Sequence, residues 1–371
     1  MARRVFLHVG LPKTGTTYLQ TRMWEQRDRL AELDFLYPGN LRMDHYRAWQ
    51  DIHLGSGHRG SGAWERLRAE VAAHPGDALI SHEFFSMATP EEAANAVAGL
   101  APAEVQVVFT LRAYHLQFPA VWQEALKMGG QRTFTDFMQQ IVAPDQSATD
   151  LKGAWSWKSQ DIPAVLGHWA SAVPSDRITV VTVPPPGSPR DWLWNRWCEA
   201  LGLDAGRLDR EAPFANESLG AAQSALMLHV TPRVSGPLTQ GGERHRWLRQ
   251  YFGHEVLGPQ KGARFAPRPD EVDALRTLSE QAVAAVEDSG ARVVGDLTDL
   301  LPPDSVTGAH PDDVTDAEVI ETAAVAIEQM IRDVRRLTKQ NERLRQRLRG
   351  TGRGRLRRLV RRLTGRRGGA R

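Results

Sequence analysis

An α/β fold with a mostly parallel central sheet flanked by helices is what the sequence predicts. Three observations predict it. Short apolar runs of strand length alternate with helical stretches over roughly the first 300 residues. The first run ends in a glycine turn that opens a helix. Apolar residues make up 41% of the 371, enough for a sizeable core.

The elements follow in order. Val5 to Val9 is an apolar run of strand length. Gly10 to Gly15 turns sharply, and Thr16 onward (Thr-Tyr-Leu-Gln-Thr-Arg-Met-Trp) starts a helix. Asp34 to Gly39 reads as a short strand and turn, and residues 40–60, polar and rich in Gly and His, as a loop. Ala63 to Ala73 is helical, and Ala78 to Glu83 is a second strand. Pro90 opens a helix that leads to Leu100. Val105 to Arg112 is a third buried strand, followed by a helix over Leu116 to Met128. Asp161 to Ala172 is helical with Pro163 in its first turn, and Arg177 to Val183 is a fourth strand, stopped by Pro184-Pro-Pro-Gly187. A Trp-rich helix runs to Leu201, further helices cover about 217–230, 243–253 and 270–288, and Arg292-Val-Val-Gly-Asp closes the globular part.

The glycine turn is the chemically informative segment. A turn feeding a helix N-terminus presents several backbone N–H groups to one point, aided by the helix dipole. Gly10 and Gly15 keep the spacing of the ATPase loop G-x-x-x-x-G-K-[ST], but Thr16 stands where its lysine belongs. The lysine has moved ahead of the second glycine, to Lys13, where it meets a group lying across the loop mouth. No persuasive metal-binding carboxylate follows on a second strand, so the implied chemistry is anion transfer without an obligatory metal. The fold type that fits is a P-loop-type three-layer arrangement.

The spelling Pro12-Lys-Thr-Gly-Thr-Thr17 resembles the 5′-phosphosulfate loop of the sulfotransferase family. Gln160-Asp-Ile-Pro-Ala-Val-Leu-Gly-His-Trp169, the strand ending Val183-Pro-Pro-Pro-Gly187, and Val294-Gly-Asp-Leu-Thr-Asp-Leu-Leu-Pro302 are similar to actinobacterial sulfotransferase-like proteins. The resemblance implies 3′-phosphoadenosine 5′-phosphosulfate as donor, held by Pro12, Lys13, Thr14, Gly15, Thr16 and Thr17. It implies that Arg112, at a strand end, grips the 3′-phosphate. The family places a serine eight residues after that arginine; here the residue is Ala120, which leaves a phosphate oxygen without its hydroxyl partner unless Gln117 or Gln123 substitutes.

Ligands of open α/β sheets bind outside the carboxyl ends of the strands. The segments His8 to Thr17, Ser81 to Ser86 and Thr110 to Tyr114 end there. A sulfuryl acceptor must lose a proton, and a carboxylate or imidazole in reach serves as base. Glu83 is the first choice, sharing a strand face with Leu79 and Ser81; the family carries a glutamate in a similar region. His82 and His53 are alternatives. Lys13 supplies electrostatic stabilisation of the bridging oxygen, and Thr14, Thr16 and Thr17 can add hydroxyl donors. His8 points to the mouth or into the core. Trp155 and Trp157 flank a polar segment and could line an acceptor site, and Lys261-Gly-Ala-Arg264 could reach the 3′-phosphate. Loops 40–60 and 129–160 are the candidate acceptor walls.

The expected activity is therefore transfer of a sulfuryl group to a hydroxyl or amine of a glycan, lipid or small molecule. The alternatives are a P-loop kinase-like nucleotide enzyme, and a catalytically impaired sulfotransferase-like scaffold. Cys198 is the single cysteine, which excludes an intramolecular disulfide and suits a reducing, cytoplasmic setting. No signal peptide and no stretch of transmembrane length is read.

The net charge of +3 conceals an asymmetry. Residues 331–371 hold 17 Arg and Lys against 2 Asp and Glu, leaving 30 basic and 42 acidic residues in 1–330. The sulfotransferase-like domain is assigned to 1–302 and a linker to 303–316. Residues 317–349 form a helix in which Ile320, Ala324, Ile327, Ile331 and Val334 recur at spacings of 4 and 3, resumed by Leu337, Asn341, Leu344 and Leu348 after one short step. That is a short coiled coil and a route to a homo-oligomer, with Asn341 as a register residue, or a lone helix folded back on the domain. Residues 350–371 are an Arg/Gly-rich tail suited to an anionic membrane surface at the inner face, with no specific nucleic acid recognition, or else simply solvated.

Overall fold

The central strand is β1 (Arg4–Gly10), with β3 (Asp77–Ser81) on one side and β4 (Glu104–Leu111) on the other. β2 (Phe35–Leu36) extends the sheet beyond β3; β5 (Ile178–Thr182) and β6 (Arg292–Val294) extend it beyond β4. The order is β2-β3-β1-β4-β5-β6 and every pairing is parallel, so the sheet is wholly rather than mostly parallel. The computed structural model describes residues 2–55, 57–58, 61–142, 157–208, 218–234, 236–263 and 265–364, with side chains to 347 in the last helix.

Helices cover both faces. Alternate residues of β1 point to opposite sides: Val5, Leu7 and Val9 join one core and Phe6 the other. The first core is closed by α4 (Ala63–Ala73), α5 (Pro90–Ala98), α6 (Tyr114–Lys127), α7 (Phe134–Val142), α8 (Ile162–Ala170) and α12 (Pro269–Ser289). The second is closed by α1 (Thr16–Glu25), α2 (Arg27–Glu32) and α9 (Trp192–Leu201), where Trp194 and Trp197 pack. Local chemistry sets the helix starts. Thr89 and Glu92 form a capping box with Pro90 at the first position of α5. Asp161 accepts from the Ala164 N–H and so starts α8.

Residues 40–60 are not the loop expected of them. Asp44–Leu54 is a helix, α3. The Asp44 carboxylate accepts from the Asn40 and Leu41 N–H groups, and Ala48 and Trp49 are buried on its inner face. An amphipathic turn hidden among His and Arg residues carries the helix. The second strand is also shorter than expected. It ends at Ser81, and a 3-10 turn takes over at Glu83–Met87, so Glu83 does not share a strand face with Leu79.

Beyond the sheet lie α10 (Ala221–Val234) and α11 (Gly241–Arg244), which runs on as a π-helix over His245–Leu257. The stretch 303–316 lies against the body. Ala266 N–H donates to the Ala309 carbonyl, His310 is buried, and the Asp312 carboxylate accepts from the Phe134 and Thr135 N–H groups, capping α7. The last helix, α13, extends from Asp316 to Thr364, beyond the expected 349. Among the described residues, no helix is long and apolar enough to cross a membrane. The end of the Arg/Gly-rich tail, 365–371, lies outside the described residues.

Candidate functional site

The loop Leu11–Gly15 leaves the carboxyl end of the central strand, where the strand order reverses. Two glycines are obligatory there. A Cβ on Gly10 would lie 2.2 Å from Thr16 Cγ2, and Gly15 holds φ +88°, a left-handed value. Lys13 itself has φ 71°, a conformation that costs a non-glycine residue about 1–2 kcal/mol. The loop therefore turns twice through the left-handed region and delivers its chain end-on to α1. Among the described residues no N-cap side chain bonds α1, and α1 has no acidic residue in its own first turn. Its leading N–H groups and its dipole are left to a guest anion.

A one-way chain of hydrogen bonds fixes the floor of the loop. Register brings His8 beside Ser81 and Gly10 beside Thr110. Gln20 Nε2 donates to Ser81 Oγ at 3.2 Å, and His8 Nδ1 lies 2.7 Å from that oxygen. His8 Nε2 lies 3.0 Å from Thr110 Oγ1, which meets Thr14 Oγ1 at 2.8 Å, and Thr14 donates to the Leu11 carbonyl at 2.7 Å. Thr14 spends its one proton on the Leu11 carbonyl, so Thr110 donates to Thr14 and His8 Nε2 donates to Thr110. Burial, with repulsion from His82, lowers the His8 pKa to about 3. The neutral ring then leaves Nδ1 to accept from Ser81. His8 belongs to the core, and Thr14 turns its hydroxyl inward, away from a ligand.

The remaining expected residues separate. Thr16 donates to Glu83 Oε2, so the first residue of α1 and the turn after β3 are tied together. Burial pushes the Glu83 carboxyl above its usual range, opposed by the Thr16 hydroxyl and by Lys13. Thr17 is exposed on the first turn of α1. His82 caps the 3-10 turn: its Nδ1 accepts from the Phe84 N–H, and its ring lies against Tyr46 and Phe84. Burial lowers the His82 pKa to about 3. His53 is drawn elsewhere, stacked on Trp49 and paired with Glu92 at 3.0 Å. Arg112 reaches the loop from the end of β4 and donates to the Lys13 carbonyl at 3.1 Å.

Two residues that the sequence reading missed dominate the electrostatics. Glu124, on α6, accepts from Lys13 Nζ at 2.6 Å and from Arg249 Nε, with Lys127 Nζ at 3.7 Å. Desolvation pushes the Glu124 carboxyl up, but Lys13, Lys127 and Arg249 together hold it well below the usual carboxylate range. Burial and the neighbouring cations Lys13 and Arg249 lower Lys127 to about 8 although Glu124 pulls it up. Three cations thus share Glu124, with the Glu83 carboxylate also within the field of Lys13 and Arg249, so the cations outnumber the two carboxylates beside the start of α1. The signal in the sequence is Gln117, Ala120, Glu124 and Lys127, one helical face at spacings of 3, 4 and 3 on a largely apolar helix. Arg249 carries no such signal, because it comes from the distant π-helix.

Ala120 lies on that face of α6, between Gln117, which donates to the Pro12 carbonyl at 3.2 Å, and Glu124. Neither glutamine offers a replacement donor. Gln117 Nε2 is directed to Pro12 and to Gln160 Oε1, and Gln123 Nε2 to the Leu219 carbonyl. Trp157 is not an acceptor wall. It is buried against Tyr114 and Phe118 and donates to Asp161 at 2.9 Å. Arg264 and the whole stretch 143–156 between α7 and Trp157, Trp155 included, lie outside the described residues, and Lys261 occupies a left-handed turn at φ 49°.

Compared with protein-family models, with curated proteins and with solved structures, the chain matches none.

Proposed function

We propose that residues 1–302 form a P-loop-type sulfotransferase that uses 3′-phosphoadenosine 5′-phosphosulfate. The observation that carries the reading is the start of α1, to which Gly15 gives no side-chain cap, bordered by Lys13 and by cations that outnumber the carboxylates Glu124 and Glu83. The α1 amides and Lys13 hold the phosphosulfate, and Arg112, tied to the same loop, faces the nucleotide phosphate. Thr17 adds an exposed hydroxyl. In the transfer step the acceptor oxygen attacks sulfur and the sulfur–oxygen bond to the 5′-phosphate breaks. The electron pair of that bond goes to the phosphate oxygen, where Lys13 and the amides stabilise it. The acceptor proton passes to the Glu83 carboxylate, whose raised pKa makes it a better base than an ordinary glutamate. Glu83 must release Thr16 or share it to do so.

Calorimetric titration with 3′-phosphoadenosine 5′-phosphate tests the donor site without knowledge of the acceptor. Binding is expected, with loss of about 100-fold in affinity in Lys13→Ala, as for a charge-assisted contact of about 2.7 kcal/mol. Ala120→Ser restores a hydroxyl between Gln117 and Glu124 and is expected to tighten the complex. No heat at millimolar ligand refutes the donor assignment, and Mg·ATP binding in its place supports the kinase-like alternative.

A further inference from the structure

The long helix α13 carries a face that the body does not use. Thr322, Ala326 and Asp333 are buried, with Val319 and Ala323 partly so, where the helix meets α10 and the π-helix. Asp333 is fixed there by Arg336 at 2.7 Å and by Gln329 at 3.2 Å. The apolar stripe lies elsewhere. Ile320 is 68%, Ile331 62%, Val334 62% and Leu337 56% exposed. A water-exposed stripe of this length on one helix points to a partner helix.

Two features point to a second copy as the partner, and the second of them fixes its direction. The first is symmetry in the spacing. From Ile320 to Leu348 the steps of the stripe are 4, 3, 4, 3, 3, 4, 3 and 4, the same read from either end, with Val334 at the centre. The short step that breaks the heptad falls beside the midpoint. A two-fold axis through Val334, perpendicular to the helix, sets Ala324 against Leu344 of the partner copy, Ile327 against Asn341 and Ile331 against Leu337. The stripe swings across the helix surface at Val334; because the spacing is symmetric about that residue, an antiparallel pair keeps both swings at the same height, as an in-register parallel pair also would, and the charges choose between them.

The second feature is charge. The window 321–330 contains Glu321 and Glu328 and no cation. Its two-fold mate, 338–347, contains Lys339, Arg343, Arg345 and Arg347 against Glu342. Parallel association sets like against like in both windows; antiparallel association sets net −2 beside net +3 twice. Asn341 would pair with itself only in the parallel arrangement, and one such layer is outweighed by two opposed windows.

We propose that the chain forms an antiparallel homodimer through α13, with its two-fold axis at Val334. Sedimentation equilibrium of the full chain is expected to give a dimer that weakens with salt, since the windows are exposed. Ile331→Asp, which introduces a charge into two layers of each dimer, is expected to raise the dissociation constant at least about 100-fold, with an unchanged circular dichroism spectrum of the body. Direction is read by mixing two single variants, Ile327→Cys and Asn341→Cys, under oxidation. The mixed disulfide is expected to dominate. A monomer at micromolar concentration overturns the proposal. So do homodisulfides of each variant without the mixed species, which report a parallel pair.

Discussion

Replacing Glu124 with glutamine removes the carboxylate that Lys13, Lys127 and Arg249 share while keeping its shape. Breaking a buried ion pair from one side costs about 3–5 kcal/mol. The side chains of Lys13 and Arg249 are 27% and 30% exposed and can turn to water, so the cost falls mainly on Lys127, 5% exposed. The low end, about 3 kcal/mol at pH 7, is therefore expected. The loss has a pH signature. Burial lowers Lys127 to about 8 in the folded chain, against its ordinary 10.5, so between these values the unfolded chain binds more protons and stability rises with pH. Without Glu124 the ammonium loses the partner that raises its pKa, and the folded value drops below 8. The rising window then starts lower, so the variant recovers more stability than the wild type between pH 7 and 8. Above about pH 9 Lys127 is neutral in both folded forms; the one proton in question recovers at most about 1.4 kcal/mol between pH 7 and 9, so the deficit falls to about 1.6 kcal/mol. Urea unfolding of both proteins from pH 6.5 to 9.5 measures this. A deficit under 1 kcal/mol at pH 7, or one that does not shrink with pH, refutes the shared-carboxylate account.

Two further outcomes follow from the loop and its floor. His8 and His45 are fully buried, and burial lowers their pKa values to about 3 and about 4, against 6.5. Unfolding therefore takes up protons below pH 6.5. These two histidines alone are expected to make stability fall by up to about 3 kcal/mol per pH unit between pH 6 and 4.5, and His82, lowered to about 3, with His115 and His254, lowered to about 4, steepens the fall; a slope in urea midpoint equivalent to less than half a proton counts against it. Gly15→Ala forces a Cβ into a left-handed residue 2.9 Å from Leu193 Cδ2. It is expected to lower stability by about 1–3 kcal/mol and to weaken nucleotide binding; a variant as stable and as tightly binding as the wild type shows that the loop is less constrained than its geometry indicates.

The sequence by itself determined the strands, the glycine loop and the helix that follows it. These are local: an apolar run of strand length, two glycines at positions with no room or a left-handed φ, and a helix whose period is legible. It also placed Lys13 and Arg112 at one end of the sheet, because parallel strands connected by crossovers bring their carboxyl ends together. In residues 40–60 a polar, Gly- and His-rich composition masks a short amphipathic pattern, and the helix there delivers His45, whose Nδ1 accepts the Ser81 N–H at 3.1 Å. Only tertiary structure decided how the site is charged. Arg249 stands 125 residues from Glu124, and nothing local in either segment refers to the other. Tertiary structure likewise decided which face of α13 the body covers: the small residues went inward, and the large apolar ones, which periodicity alone would have buried, were left outside. A local pattern states that a face is apolar; what covers it depends on surfaces that come together only once the chain has folded.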